Sequence, residues 1–225
     1  MADSDRMQAR KRVKQLAAEF TKKGDPTGWF EVLYKAAQGN EEGIPWAEMT
    51  ASPLLIEWAT RYNLRGEGKR ALVVGCGLGE DAEAIARLGF TVTAFDISPT
   101  AINWCQRRFP TSQVHYTVAD VLKLPEEWSQ HFDFIVEIFT LQSLPDDELR
   151  NQATANLARC VAPGGSLLVI CRGRDPDEDR GTMPWPLTRL ELTAFQRYGL
   201  REVALEDFMD REEPPVRRFR ALYRV

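Results

Sequence analysis

Residues Ala71–Ala86, ALVVGCGLGEDAEAIA, decide the fold. Leu72, Val73 and Val74 have the aliphatic and β-branched character of a strand buried on both faces, which in a parallel sheet needs no alternation. Gly75, Gly77 and Gly79 follow at once. Without Cβ they let the chain turn tightly and bring its backbone against a ligand, and Glu80 and Asp81 then open a helix whose dipole favours acids in its first turn. A second strand, Thr91 to Asp96, ends in an acid 21 positions after Gly75. On the tip of a neighbouring parallel strand, such an acid accepts hydrogen bonds from both hydroxyls of a ribose.

A dinucleotide loop carries a third glycine five residues after the first, so that the helix start can approach a pyrophosphate; here Glu80 occupies that position and would repel it. A ligand with a cationic sulfonium and an amino group suits acidic neighbours such as Asp81. The pattern Gly75-x-Gly77-x-Gly79 with Asp96 resembles the class I S-adenosylmethionine-dependent methyltransferases. A structural glycine turn in another α/β protein is the plainer alternative.

Outward from this segment the periodicities alternate. Asp5 to Thr21 sets Met7, Val13, Leu16, Ala17 and Phe20 among charges at helical spacing. Further helices are expected over Gly28 to Gln38 and Pro53 to Tyr62, separated by a loop with Gly39, Asn40, Gly43 and Pro45. Beyond the first strand come helix Glu80 to Leu88, strand Thr91 to Asp96, helix Pro99 to Arg108, strand Val114 to Val118, strand Phe132 to Ile138, helix Asp146 to Val161 and strand Gly165 to Cys171. Leu200 to Asp207 and Val216 to Val225 read as a terminal hairpin. The expectation is an α/β, Rossmann-like fold: a mostly parallel seven-stranded sheet with the last strand antiparallel, helices on both faces and right-handed crossovers. Residues 1–68 form an N-terminal helical cap on a core of residues 69–225, together one methyltransferase domain.

The chain has 225 residues, 44% hydrophobic and 28% charged, which suits one sizeable soluble core. No segment has the apolar length of a membrane span and the N-terminus is not signal-like, so a cytoplasmic protein is expected. Cys76, Cys105, Cys160 and Cys171 lack CxxC spacing and a histidine cluster, which argues against bound metal and against a disulfide framework. The net charge of −4 gives no reason to seek nucleic acid. Arg6, Arg10, Lys11, Arg12 and Lys14 read as a solvated helix face. A monomer acting on a small molecule is expected.

In an open α/β sheet ligands bind beyond the carboxyl ends of the strands. Those ends supply Gly75, Cys76 and Gly77, then Asp96 and Ile97, then Asp120 and Val121. Asp120 can accept an adenine amino group with Ile97 and Val121 beside the ring, or can simply cap a turn before Pro125. Glu137 interrupts the apolar run of the fourth end, Val136 to Gln142, so it either points into the cofactor cleft, as a cofactor-binding residue, or makes a buried structural pair.

Three further stretches, Gly28-Trp29-Phe30-Glu31, Gly43-Ile44-Pro45-Trp46 and Ser52-Pro53-Leu54-Leu55, resemble the thiopurine methyltransferase superfamily and its halide and thiol methyltransferase branch. Gly181-Thr182-Met183-Pro184-Trp185-Pro186-Leu187 is similar to that group's substrate-side segment. The resemblance implies that Trp29 and Trp46 close over the cofactor and that Trp46 and Trp185 shape the acceptor pocket; Phe139, at the fourth strand end, is expected to line that pocket too. Core packing is the alternative for each tryptophan.

Methyl transfer from a sulfonium is an in-line displacement, in which the protein aligns a nucleophile and excludes water. A thiol, bisulfide or halide needs no strong base. That soft acceptor is the main expectation, and a nitrogen or oxygen acceptor the alternative, with Glu137, Tyr34 or Tyr116 taking the proton. His115 and His131 read as structural or exposed. A nicotinamide-dependent oxidoreductase and a non-catalytic cofactor-binding regulator remain open beside these.

Overall fold

A computed structural model describes residues 2–225, with side chains from Gln8 onward. Arg6 and Met7, counted above on the first helix, have side chains outside those described. In chain order the elements are α1 (Ala2–Lys22), α2 (Trp29–Ala37), α3 (Pro53–Arg61), β1 (Arg70–Val74), α4 (Glu80–Arg87), β2 (Thr91–Asp96), α5 (Pro99–Arg108) and β3 (His115–Val118). Then follow β4 (Phe132–Ile138), α6 (Asp147–Cys160), β5 (Val161–Arg174), β6 (Leu187–Thr188), α7 (Arg189–Leu192), β7 (Arg201–Met209) and β8 (Arg217–Arg224). The strand order is β3-β2-β1-β4-β5-β8-β7, with β6 pairing to β5 off that path.

The chain forms two compact units. One comprises the residues up to Glu67 together with Gly75–Ala119. In it α1 buries Ala9, Val13 and Ala17 at four-residue spacing, and α2 buries Trp29, Leu33 and Tyr34. Pro53 opens α3, where its missing N–H costs nothing, and Leu55, Trp58 and Ala59 face inward. β2 and β3 are parallel with Asp96 opposite Val118. The Ser98 side chain caps α5 by accepting the Ala101 N–H at 3.0 Å, and Gly79, at φ +97°, turns the chain into α4.

The other unit comprises Gly68–Val74 and Asp120–Val225. β1, β4 and β5 run parallel, and β8 lies antiparallel to both β5 and β7. Ala71 to Val74 and Leu167 to Cys171 are buried without a break, as two-faced central strands require. Each fully buried aliphatic side chain contributes roughly 1.5–3 kcal/mol. Asp146 caps α6 through the Leu149 N–H (2.9 Å), and Thr188 with Glu191 makes a capping box on α7.

The expected α/β architecture, with its terminal hairpin and antiparallel last strand, is the one found. Two details differ. The sheet has eight strands, because Leu187 and Thr188 add a two-residue strand too short for any alternation to show. β5 begins at Val161 directly after α6 instead of at Gly165, and the register shift against β4 between Phe132 and Phe134 absorbs the Pro163-Gly164-Gly165 stretch that reads as a turn.

Candidate functional site

In the first unit the glycine loop and the tip of β2 are joined through backbone donors. The Cys76 N–H donates to the Phe95 carbonyl at 2.8 Å, and the Gly77 N–H to Asp96 Oδ2 at 3.0 Å. Asp96 Oδ1 accepts the Ser98 N–H at 2.9 Å. Burial pushes the Asp96 carboxyl up to about 6 and these bonds hold it back. Gly75 and Gly77 take φ of +58° and +54°, which a side chain would oppose. The Cys105 thiol donates to the Gly77 carbonyl at 3.2 Å; hydrogen bonding to Cys105 and burial push the Cys76 thiol up, so it stays protonated. Ile97 is half-buried beside Asp96.

The helices before the loop bring an aromatic group to it. Trp29 stacks on Phe30 at 3.8 Å between centroids and meets Trp46 edge-on at 6.1 Å. The Trp46 indole N–H donates to the Tyr34 hydroxyl at 3.0 Å, and a Cβ on Gly77 would stand 3.3 Å from that same oxygen. Burial first, then the Asp96 charge, hold the Tyr34 phenol well above its ordinary value, so Tyr34 keeps its proton. Asp81 accepts the Ser52 N–H at 2.7 Å, fastening α4 to the start of α3, and burial pushes it up to about 6. Glu31 gathers three donors: Ser98 Oγ at 2.5 Å, the Thr100 N–H at 3.1 Å and Thr100 Oγ1 at 2.8 Å. It thereby holds α2 to the helix that follows Asp96.

In the second unit Asp120 Oδ1 accepts the Leu122 N–H at 2.8 Å in a side-chain turn. The Val121 side chain is buried, and its carbonyl accepts from Asn156 at 2.9 Å. Glu137 is fully buried: Oε1 accepts the N–H groups of Thr140 (2.7 Å) and Leu141 (2.9 Å), while Oε2 has no partner. Burial pushes its carboxyl up to about 7 against the pull of those two bonds. Phe139 sits at φ +65°, an outlier for a bulky residue, with the Arg218 guanidinium 4.9 Å above its ring. The Trp185 N–H donates to the Gln142 carbonyl at 2.7 Å, which holds Trp185 to the turn after β4.

Thus one unit gathers Trp29, Tyr34, Trp46, Cys76, Gly77 and Asp96, with Asp81 fastened nearby on α4. The other joins Glu137, Phe139 and, through Gln142, Trp185. Asp120 and Val121 lie on a turn tied to α6. Tyr116 donates to Glu83 at 2.8 Å, His115 is exposed, and His131 contacts Arg70. Reading the sequence missed Glu31, whose spacing to Lys35 looks like an ordinary helix-surface pair. It also missed Arg180, in an acidic loop without periodicity. Among the described residues no group of three His, Cys, Asp or Glu could hold a metal ion, and no helix is long and apolar enough to cross a membrane.

Residues 71–165, from β1 into β5, match the family model described as a methyltransferase domain. The structure is similar to the N-methyltransferase NodS from Bradyrhizobium japonicum WM9 in complex with S-adenosyl-L-homocysteine, with a TM-score of 0.67 over 86% of this chain and 97% of that one at 20% identity. The fold is a Rossmann-like methyltransferase fold. A second structure with this fold is 1,6-didemethyltoxoflavin-N1-methyltransferase from Burkholderia thailandensis, with a TM-score of 0.67 over 86% and 87% of the two chains at 17% identity. In sequence the chain is 34% identical over 127 residues to a ubiquinone biosynthesis O-methyltransferase of Xanthomonas axonopodis pv. citri, covering 56% of this chain and 52% of that relative. The chain spans about half the length of the curated relatives it matches.

Proposed function

We propose that this protein transfers the methyl group of S-adenosyl-L-methionine to an oxygen, or a nitrogen, of a small molecule. The observation that carries the reading is the Gly77 N–H bonded to Asp96, which locks a left-handed glycine loop to an acid at the tip of the next strand. The methyltransferase-domain match covers this segment. In this proposal Gly75, Cys76 and Gly77 cradle the cofactor, and Asp96 offers its remaining lone pairs to the ribose hydroxyls. Ile97, Asp120 and Val121 flank the adenine, Asp81 supplies negative charge at the loop, and Trp29 and Trp46 cover the site. The loop fits such a ligand, because its glycines leave backbone where a Cβ would approach the Tyr34 hydroxyl. When bound, the cofactor supplies an electrophilic methyl group on a sulfonium.

An oxygen or nitrogen acceptor must lose a proton. Tyr34, with its phenol held protonated, orients and shapes; Glu137, near neutrality and with an unpartnered oxygen, is the group suited to hold the proton. Trp46, Phe139 and Trp185 shape the acceptor pocket. The relatives named O-methyltransferases and the N-methyltransferase neighbours favour this acceptor class over a soft anion. The aromatic group of Trp29, Phe30, Tyr34 and Trp46 supports a second reading, the thiol, bisulfide or halide acceptor of the thiopurine methyltransferase branch. Residues 1–68 act as a cap within one domain of residues 1–225, and the protein works as a cytoplasmic monomer without nucleic acid. Production of S-adenosylhomocysteine against catechols, phenols and amines, beside iodide, bisulfide and thiols, tests the reading. Turnover confined to the soft anions overturns the oxygen or nitrogen assignment.

A further inference from the structure

Arg150 and Arg180 are neighbours put to different uses. Arg150 is buried and bonded on every nitrogen: Nε to the Leu144 carbonyl at 3.2 Å, Nη1 to Glu191, and Nη2 to the Trp185 carbonyl at 3.3 Å. Burial and then the positive charge of Arg180 depress its pKa, which marks the two guanidiniums as close. Arg180 has no such set of partners. Its Nη1 stands 3.6 Å from Asp147 Oδ1, beyond hydrogen-bond range, and its Cζ lies 5.9 Å from the centre of the Trp185 ring. Nε and Nη2 are buried and donate to no acceptor.

Those two nitrogens form the guanidinium edge whose N–H bonds run parallel, the edge that matches both oxygens of a carboxylate. Desolvated donors on a permanent charge are costly without a partner. The cluster has charge to spare, with Arg150, Arg174 and Arg180 against Glu191 and Asp147. Three acids of the adjoining loop are engaged elsewhere: Asp175 pairs with Arg217, Glu178 accepts the Asp175 N–H, and Asp179 accepts the Gly181 N–H. Trp185 is held by Gln142 to the turn after β4, at the strand end where α/β sheets take ligands.

The geometry points to Arg180 as the anchor for a carboxylate on the methyl acceptor, with Trp185 beside it for a planar body. The acceptor class is then a hydroxy- or amino-substituted aromatic acid. The identity of the ligand as acceptor rests on the methyl-transfer reading above; the anion site does not.

The test is calorimetric titration of the full chain, without cofactor, using 3,4-dihydroxybenzoate, catechol and phenyl phosphate. The expected result is acid binding at least about tenfold tighter than catechol, given two charge-assisted bonds. Arg180→Gln should bring the two probes to within about twofold, the two bonds having been lost. Asp147→Asn, on the solvent side of Arg180, removes its one competing carboxylate and should tighten the acid a few-fold while leaving catechol unchanged. Equal or undetectable binding of acid and catechol overturns the inference, as does a preference that survives Arg180→Gln or phenyl phosphate binding more tightly than the acid. Should Arg180→Gln fail to fold, an acid affinity unmoved by Asp147→Asn overturns it. The expected binding pattern without S-adenosylhomocysteine from either diol, in the presence of cofactor, supports the anion site and counts against the methyl-transfer reading.

Discussion

Glu137→Gln should make the protein less sensitive to alkaline pH, and the size of the effect follows from burial. In the fold the carboxyl titrates at about 7, against 4.5 when solvated, because no compensating charge meets it inside the sheet. The fold therefore favours the protonated form. Its contribution is fully present below pH 4.5 and is lost as the pH rises through 7. Integrated between pH 5 and pH 8, the loss comes to about 2–3 kcal/mol. Glutamine keeps an oxygen for the Thr140 and Leu141 N–H groups but does not titrate. Asp81 and Asp96 titrate in both proteins and cancel in the difference. Urea unfolding of wild type and variant at several pH values should show the variant gaining on wild type by about 2–3 kcal/mol across that range, or roughly 5–10 °C in Tm for a chain of this size. Parallel stability curves would mean that Glu137 is ionised in the fold throughout, and would remove both this argument and its proton-holding role.

Asp96→Ala removes the acceptor of the Gly77 and Ser98 N–H groups and should weaken S-adenosylmethionine binding by about 1–3 kcal/mol by calorimetry; unchanged affinity removes the ribose assignment. Gly77→Ala must hold φ near +54° with its Cβ close to the Tyr34 hydroxyl, so a loss of about 1–2 kcal/mol in unfolding free energy is expected, and a wild-type Tm would show that the loop relaxes freely. Burial raises the Glu31 carboxyl, but the bonds from Ser98 and Thr100 and the nearby Lys35 outweigh it and leave the pKa lowered. Its contribution is present above pH 4.5 and lost as the pH falls, so Glu31→Ala should cost about 2 kcal/mol at pH 7 and progressively less in acid. A penalty that does not change with pH would contradict the ionised bond network.

The β1 strand, glycine loop and Asp96 were legible because each has a local cause: an unbroken apolar run, positive φ at glycine, and an acid at a strand end. The helices were legible to within a residue or two at most ends, since apolar spacing fixes their buried faces while caps fix their limits. Phe139 could not be read as strained, because nothing in a phenylalanine predicts φ of +65°, nor that Glu137 would accept the N–H groups of the turn that follows it. Glu31 and Arg180 escaped for a related reason. Their significance lies in contacts across 67 to 69 residues for Glu31, and in the lack of any acceptor at two buried nitrogens for Arg180, and neither leaves a periodic trace. The choice of acceptor was no better fixed, since the aromatic side chains of α2 and of the segment around Trp46 suit a soft anion as well as an aromatic ring.

Glu31 and Tyr34 stand one turn apart on α2, and each holds a different piece of the same unit: the start of α5 in one case, and in the other the Trp46 indole N–H, which the Tyr34 hydroxyl accepts. A rigid helix with two such grips cannot release one cleanly while keeping the other. Hydrogen exchange should therefore find the amides of α2 and of the first turn of α5 opening together, as one latch with a single free energy. Any ligand that steadies the tip of β2 would slow that latch, and by reciprocity a looser latch would weaken the ligand.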